Sequence, residues 1–325
     1  MIEDDRAATR GVEMSGNGRS WLLQGDQPVP VRGVPAGSEY HRAYAGEGRR
    51  VLRGILAIVL LVVGFVGFAV LFQRLSEVAD LALFGRSGPS TPLRQAAGAL
   101  GLAALIPYSM LVQRIVYGVR AGSLHSVAGR FRFGVLGRAL LVFGPPLLLV
   151  VSVVALSGVK SVPWTTVDLI SFFVIGMLLN PLAAAGEEYG FRGLLFRVFG
   201  GWTRGARSGA IFGIVMTTVL FSLAHGTLDP FLFTSYLVLF SSMAIVTWRT
   251  GGLEVAVVLH SVYNVTALVL ATTLHVDVGA ELANRGAAVG AWNNLAPSAV
   301  LVVITAIVWW MTRKGGPACT PEPAA

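Results

Sequence analysis

Three clusters of polar residues interrupt the apolar second half of this chain: Glu187-Glu188-Tyr189-Gly190-Phe191-Arg192, Phe221-Ser222-Leu223-Ala224-His225 and His260-Ser261-Val262-Tyr263-Asn264. A carboxylate base, an imidazole and a His/Asn pair are the parts that activate a water molecule and stabilise a tetrahedral intermediate, so the chemistry they suggest is hydrolytic. On a helix Glu188 and Arg192 stand about 40° apart and form an ion pair along one face. Glu187 stands about 140° from Arg192, which leaves one carboxylate neutralised and structural and the other free for chemistry. Phe221 precedes His225 by one turn and packs beside its ring. His260 and Asn264 share a face, suited to donating hydrogen bonds to a developing oxyanion or to a helix-to-helix contact. Each cluster alone has a plainer reading: a charged helix end, an interfacial histidine, a packing contact. Packing would not require all three.

The elements that position these residues lie in a bilayer. Of 325 residues, 54% are hydrophobic and only 13% charged, and the mean hydropathy of +0.69 is far above that of a soluble domain. Apolar stretches of about 18 residues or more cross a hydrocarbon core of about 30 Å, and such stretches are read at 54–72, 96–119, 139–156, 166–185, 208–224, 231–248, 253–273 and 295–311. The fold class is therefore all-α: a polytopic integral membrane protein with about eight transmembrane helices and a polar cavity among the central ones, reached by peptide and water from the cytoplasmic side. Residues 1–48, rich in Gly, Arg and acidic residues without a sustained apolar period, read as a disordered cytoplasmic tail. Residues 49–314 form the transmembrane domain, with its motif-bearing core at 166–270, and 315–325 a short C-terminal tail. No cleavable signal peptide is expected.

Arg49, Arg50 and Arg53, then Arg120, Arg130 and Arg132, then Arg197, Arg204 and Arg207, with Arg313 and Lys314, all fall on one side. The preference of basic loops for the cytoplasm puts both termini there, in a cell membrane. Helix ends and anionic headgroups account for the formal charge of +8, so the partner is the lipid bilayer and no nucleic acid is expected. The segment 120–133 reads equally as a surface helix or a basic loop. Charges inside a membrane span cost about 2.5–3.5 kcal/mol each and need a partner or a task. Counting along the spans sets Glu187 near the cytoplasmic end of one and His225 near the opposite end of the next. A bend around Pro181 and Gly186 is the expected means of bringing them to one depth.

Taken together, the motifs EEYGFR, FSLAH and HSVYN resemble the signatures of the CAAX-protease and bacteriocin-processing family, which includes the type II prenyl-protein endopeptidases. The resemblance covers roughly 166–270. It implies an intramembrane endopeptidase in which Glu187 activates the attacking water with His225, His260 and Asn264 stabilise the oxyanion, and Glu188 and Arg192, with Phe221, support the architecture. Members have been described both as metalloproteases and as glutamate-dependent enzymes. The sequence leaves both open: Glu187, His225 and His260 make a three-ligand set for a divalent metal such as zinc, with a fourth position for water. The implied substrate is a membrane-associated peptide or protein, lipidated in some members. Two rival readings are a transporter or proton pathway, because intramembrane Glu and His mark such paths, and a catalytically silent scaffold of the same fold. No internal repeat supports the transporter.

Overall fold

The structure, a computed structural model, describes residues 20–25, 32–46, 51–86, 88, 90–156 and 162–321, leaving the Leu282 side chain aside. Among these residues it is all-helical, with no strand and only two isolated bridges. Eight helices are long and apolar enough to cross a membrane: α1 (Val51–Phe84), α2 (Pro92–Tyr117), α3 (Phe133–Ala155), α4 (Thr166–Trp202), α5 (Ala206–Ala224), α6 (Pro230–Thr250), α7 (Glu254–Thr273) and α8 (Trp292–Thr312). Along α1, Leu52, Leu56, Val63 and Leu71 are half or more exposed. So broad an apolar face is not left to water, and lipid is its solvent. This is the integral membrane protein that composition called for.

The core is built around α7. Every residue from Glu254 to His260 is buried, and the helix packs against α3, α4 and α6. Phe143 and Leu147 of α3 and Met243 and Val246 of α6 close on Val255 and Leu259.

Helix α4 carries the first motif, and here the structure corrects a boundary. The apolar window closes near residue 185, yet the helix continues to Trp202. Glu187 is therefore an interior residue of a long span rather than a residue near its end. A hydropathy window counts Glu187, Glu188, Arg192 and Arg197 as if each faced solvent, whereas Glu188, Arg192 and Arg197 are buried in the bundle. The expected bend around Pro181 and Gly186 corresponds to no more than an interruption at Leu179, where two helical segments meet with φ and ψ of −96° and −30°. Beyond Glu188 the helix widens into a π-helical stretch, Tyr189–Leu195, with the Phe196 N–H donating to the Phe191 carbonyl five residues back. Such wide turns are frequent at functional sites.

Gly186, next to the first glutamate, sits where α4 crosses α2: a Cβ there would collide with the carbonyl oxygen of Leu102. Backbone cannot yield as a flexible side chain can. Gly186→Val is expected to destabilise the protein by about 3 kcal/mol, the upper end of overpacking costs, while Gly67→Ala on the open face of α1, with no atom near the added Cβ, leaves the unfolding midpoint in detergent unchanged or raised. Equal midpoints for the two variants would show that the crossing is loose.

The face that bears the termini is sealed. Residues 1–19, 26–31 and 47–50 lie outside the described residues, but 32–46 do not form the disordered tail that composition suggested. Tyr40, His41 and Tyr44 are buried. Tyr40 donates to the Leu124 carbonyl (2.6 Å) and Tyr44 to Gln113 (2.6 Å). His41 Nε2 donates to the Ala206 carbonyl (2.9 Å), and burial pulls its pKa down to about 4, so the ring is neutral. A few large anchors, not an apolar period, order this segment. The C-terminal stretch joins it: the Thr320 N–H donates to the Ser38 carbonyl (2.9 Å) and Gly37 to Thr320 (3.2 Å). The basic segment after α2 is a loop with one short turn, Ala121–Leu124, folded inward. Its Arg132 makes a two-point ion pair with Glu254 (2.7 and 3.0 Å), and Arg197 from α4 donates to the Ser123 carbonyl (2.5 Å).

Candidate active site

The interior position of Glu187 and Glu188 on α4, beside the buried half of α7, puts both carboxylates against His260. Glu188 Oε1 accepts from Arg192 Nη1 (3.1 Å) and from His260 Nδ1 (2.8 Å). Glu187 Oε2 lies 3.4 Å from His260 Nε2. The i, i+4 pair read from the sequence is present, fully buried, and has a third member. Two carboxylates thus stand against one guanidinium, with the His260 ring between them.

Arg192 is held from several sides. Its Nη2 donates to the Phe240 carbonyl (3.3 Å), and its guanidinium lies 4.7 Å from the Phe221 ring centre and 4.9 Å from that of Phe240. Phe221 stacks on Phe191 (4.0 Å between centres) and meets the His225 ring edge-on at 4.8 Å. The aromatic thus joins Arg192 to His225.

His225 caps the end of α5. Its Nδ1 is 2.8 Å from the Phe221 carbonyl. A carbonyl only accepts, so Nδ1 carries the hydrogen, and in the neutral ring the lone pair is on Nε2. Tyr236 and Phe240 of α6 complete a cage around the imidazole, with ring centres 4.6 and 4.8 Å away. Asn264 lies one turn along α7 from His260.

Glu187, His225, His260 and Asn264 all line one cavity of about 720 Å³. Tyr236, Phe240, Asn180 and Arg285 line it too, and none of these was singled out by sequence reasoning. Tyr236 and Phe240 are hidden in an ordinary apolar run, whereas Arg285 was legible as a basic residue in an otherwise acidic connection. The cavity reaches Ser90 and Thr91 before α2, Trp164 before α4, and Val276, Gly279 and Glu281 after α7. All of these connections lie on the face opposite the termini. Ser90 and Asp277 bond across that mouth. Among the described residues none that lines the cavity belongs to a connection on the terminal face, so its mouth is on the other side. A cavity open to the cytoplasm and cytoplasmic termini are thus not compatible, contrary to the joint expectation from the sequence.

The fit to a metal is poor in this arrangement. Both nitrogens of His260 face carboxylates, and among the described residues no three His, Cys, Asp or Glu side chains are disposed to hold an ion. Were a metal bound by Glu187, His225 and His260, it would supply a Lewis acid for the water.

A second, almost wholly apolar groove of about 500 Å³ flanks α4 on its other side, between Ile106, Leu140, Pro181 and Val262. Comparison with known proteins gives no match to a curated protein and none to a solved structure. The stretch 166–266, which begins at the first residue of α4 and ends two residues past Asn264, matches the family model of the type II CAAX prenyl endopeptidases, Rce1-like.

Proposed function

We propose that this chain is an intramembrane endopeptidase that hydrolyses a peptide bond in a membrane-associated peptide or protein with water activated by Glu187 and His225. The observation that carries the reading is that Glu187, His225, His260 and Asn264 all line one cavity, with Glu187 Oε2 3.4 Å from His260 Nε2. Glu187 takes a proton from the water as the oxygen attacks the scissile carbonyl, and His225, through Nε2, is the second acceptor at that position. Asn264, and His260 through Nε2 when both of its nitrogens carry hydrogen, then donate to the carbonyl oxygen as it becomes negative. Collapse of the intermediate breaks the C–N bond, with the proton delivered to the leaving amine by the Glu187 carboxyl. Glu188, fixed by Arg192, orients His260 through Nδ1.

A cavity closed toward one face supports an enzyme over a conduit, which needs access from both. The metal-free form of the mechanism is the one this donor set favours.

Purified protein incubated with a library of membrane-associated peptides, read by mass spectrometry, tests the proposal. New cleavage products from the wild type, lost in His225→Ala and insensitive to a chelator, are the expected result. Cleavage abolished by chelation and restored by zinc would replace the glutamate mechanism with a metal-dependent one. Absence of cleavage by the wild type, or equal cleavage by His225→Ala, would sink the reading.

We also propose that both termini are cytoplasmic, so that the cavity mouth faces the opposite compartment. The described basic residues near that mouth, Arg74, Arg86, Arg94 and Arg285, are matched by Glu77, Asp80, Asp168, Asp229, Asp277 and Glu281, whereas the terminal face is strongly basic. Cys319, the only cysteine, is exposed on the terminal face and serves as a native reporter. In intact cells an impermeant maleimide should spare Cys319 until the membrane is permeabilised, and should label Val289→Cys in a Cys319→Ser background at once, since Val289 is 87% exposed in the loop beside the mouth. The reverse pattern would invert the orientation.

A further inference from the structure

The connection from α7 to α8 contributes one cation to the cavity wall that the hydrolytic machinery does not use. Arg285 opens a short turn, Arg285–Ala287, lines the cavity, and donates from Nη1 to the carbonyl oxygen of His225 at 3.2 Å. Its guanidinium is thereby set against the end of α5, next to the imidazole proposed to act on water. The other cavity-lining arginine is already committed: Arg94 lies 3.5 Å from Glu77 and 3.9 Å from Asp80. Arg285 makes no ion pair with a carboxylate among the described residues; Glu281, which also lines the wall, makes none with it, and Glu187 feels its charge from across the cavity.

We propose that Arg285 receives a carboxylate of the substrate, either the peptide C-terminus or an Asp or Glu side chain close to the scissile bond; this rests on the hydrolase reading. The chemistry is that of the guanidinium. It carries five N–H donors in a rigid plane, is always charged, and matches the two oxygens of a carboxylate. One donor is spent on His225, which fixes the plane, and the rest remain for a ligand. In a cleft with low-dielectric walls a cation without a partner concentrates anions. A peptide held this way has its acidic group toward the mouth and the neighbouring peptide bond toward Glu187. The residue lies outside the stretch 166–266, so the preference would belong to this chain rather than to the matched segment.

The test uses the full-length protein in lipid nanodiscs and three fluorescent versions of one short apolar peptide: the free acid, the C-terminal amide, and an amide ending in Asp. Binding is read by anisotropy and cleavage by mass spectrometry in the same samples. The wild type is expected to bind the free acid about 10-fold or more tighter than the plain amide, the range of a hydrogen bond to a charged group. Arg285→Gln, which keeps a donor for the His225 carbonyl, is expected to lose that preference, and Arg285→Lys to recover part of it. If the Asp-ended amide binds like the acid, any carboxylate near the bond serves; if it binds like the plain amide, the C-terminus is the group recognised. A wild type that does not distinguish acid from amide, or an Arg285→Gln variant that still does, overturns the assignment. A preference that follows Arg285 without cleavage of any peptide would keep the assignment and reject the hydrolase.

Discussion

Glu187→Gln is expected to lower kcat for peptide hydrolysis by about 10²–10⁴-fold, the usual contribution of a general base, while leaving the protein folded. Gln has nearly the volume of Glu and still offers an oxygen to His260, so the contact at 3.4 Å has a neutral counterpart. What is lost is the ability to take a proton. The result is informative only beside the unfolding midpoint, and a midpoint near that of the wild type is part of the prediction. KM should change little, because the carboxylate acts on water rather than on the peptide. A fully active, well-folded Glu187→Gln would remove Glu187 from the chemistry and leave His225 as the sole base.

The opposite profile is expected five residues along. Arg192→Ala leaves Glu188 buried with no cation beside it, and breaking a buried pair in this way costs about 3–5 kcal/mol. Arg192 also touches the Phe240 carbonyl and lies over two aromatic rings, which places the loss toward the upper part of that range. The variant should show a large fall in unfolding midpoint in detergent, or fail to accumulate. Changing both partners, Glu188→Leu with Arg192→Leu, is expected to restore much of the stability, because no orphaned charge remains. Activity should not return, since His260 Nδ1 would have lost its acceptor. Recovery of both together would mean that the pair is only structural and that His260 needs no orienting carboxylate.

Much of this was legible in the sequence because it rests on local geometry. Spacing alone pairs Glu188 with Arg192, and hydropathy alone gives the spans. The gathering of the three motifs around one cavity follows from the cost of leaving polar groups in lipid. Other features depend on tertiary contacts. The continuation of α4 beyond residue 185 rests on Arg197 finding Gln113 and Ser123, residues far off in sequence. The widened turn after Glu188 has no composition signature beyond Gly190 and Gly193. Tyr40 and Tyr44 anchor a segment whose average composition suggests disorder, because averaging dilutes two aromatics among glycines and charges. Which face the cavity opens to is a property of how the helices close, and sequence can place its charges without saying where the gap is.

The pairing of Ser38 with Thr320 ties the stretch 32–46 to the last described residues of the chain, on the side away from the mouth. The two stretches, more than 280 residues apart in sequence, therefore hold one another in place, since Thr320 also donates from its hydroxyl to the Pro35 carbonyl (2.7 Å) and accepts from the Ser38 N–H (3.0 Å), and whatever loosens one frees the other without touching the entry route.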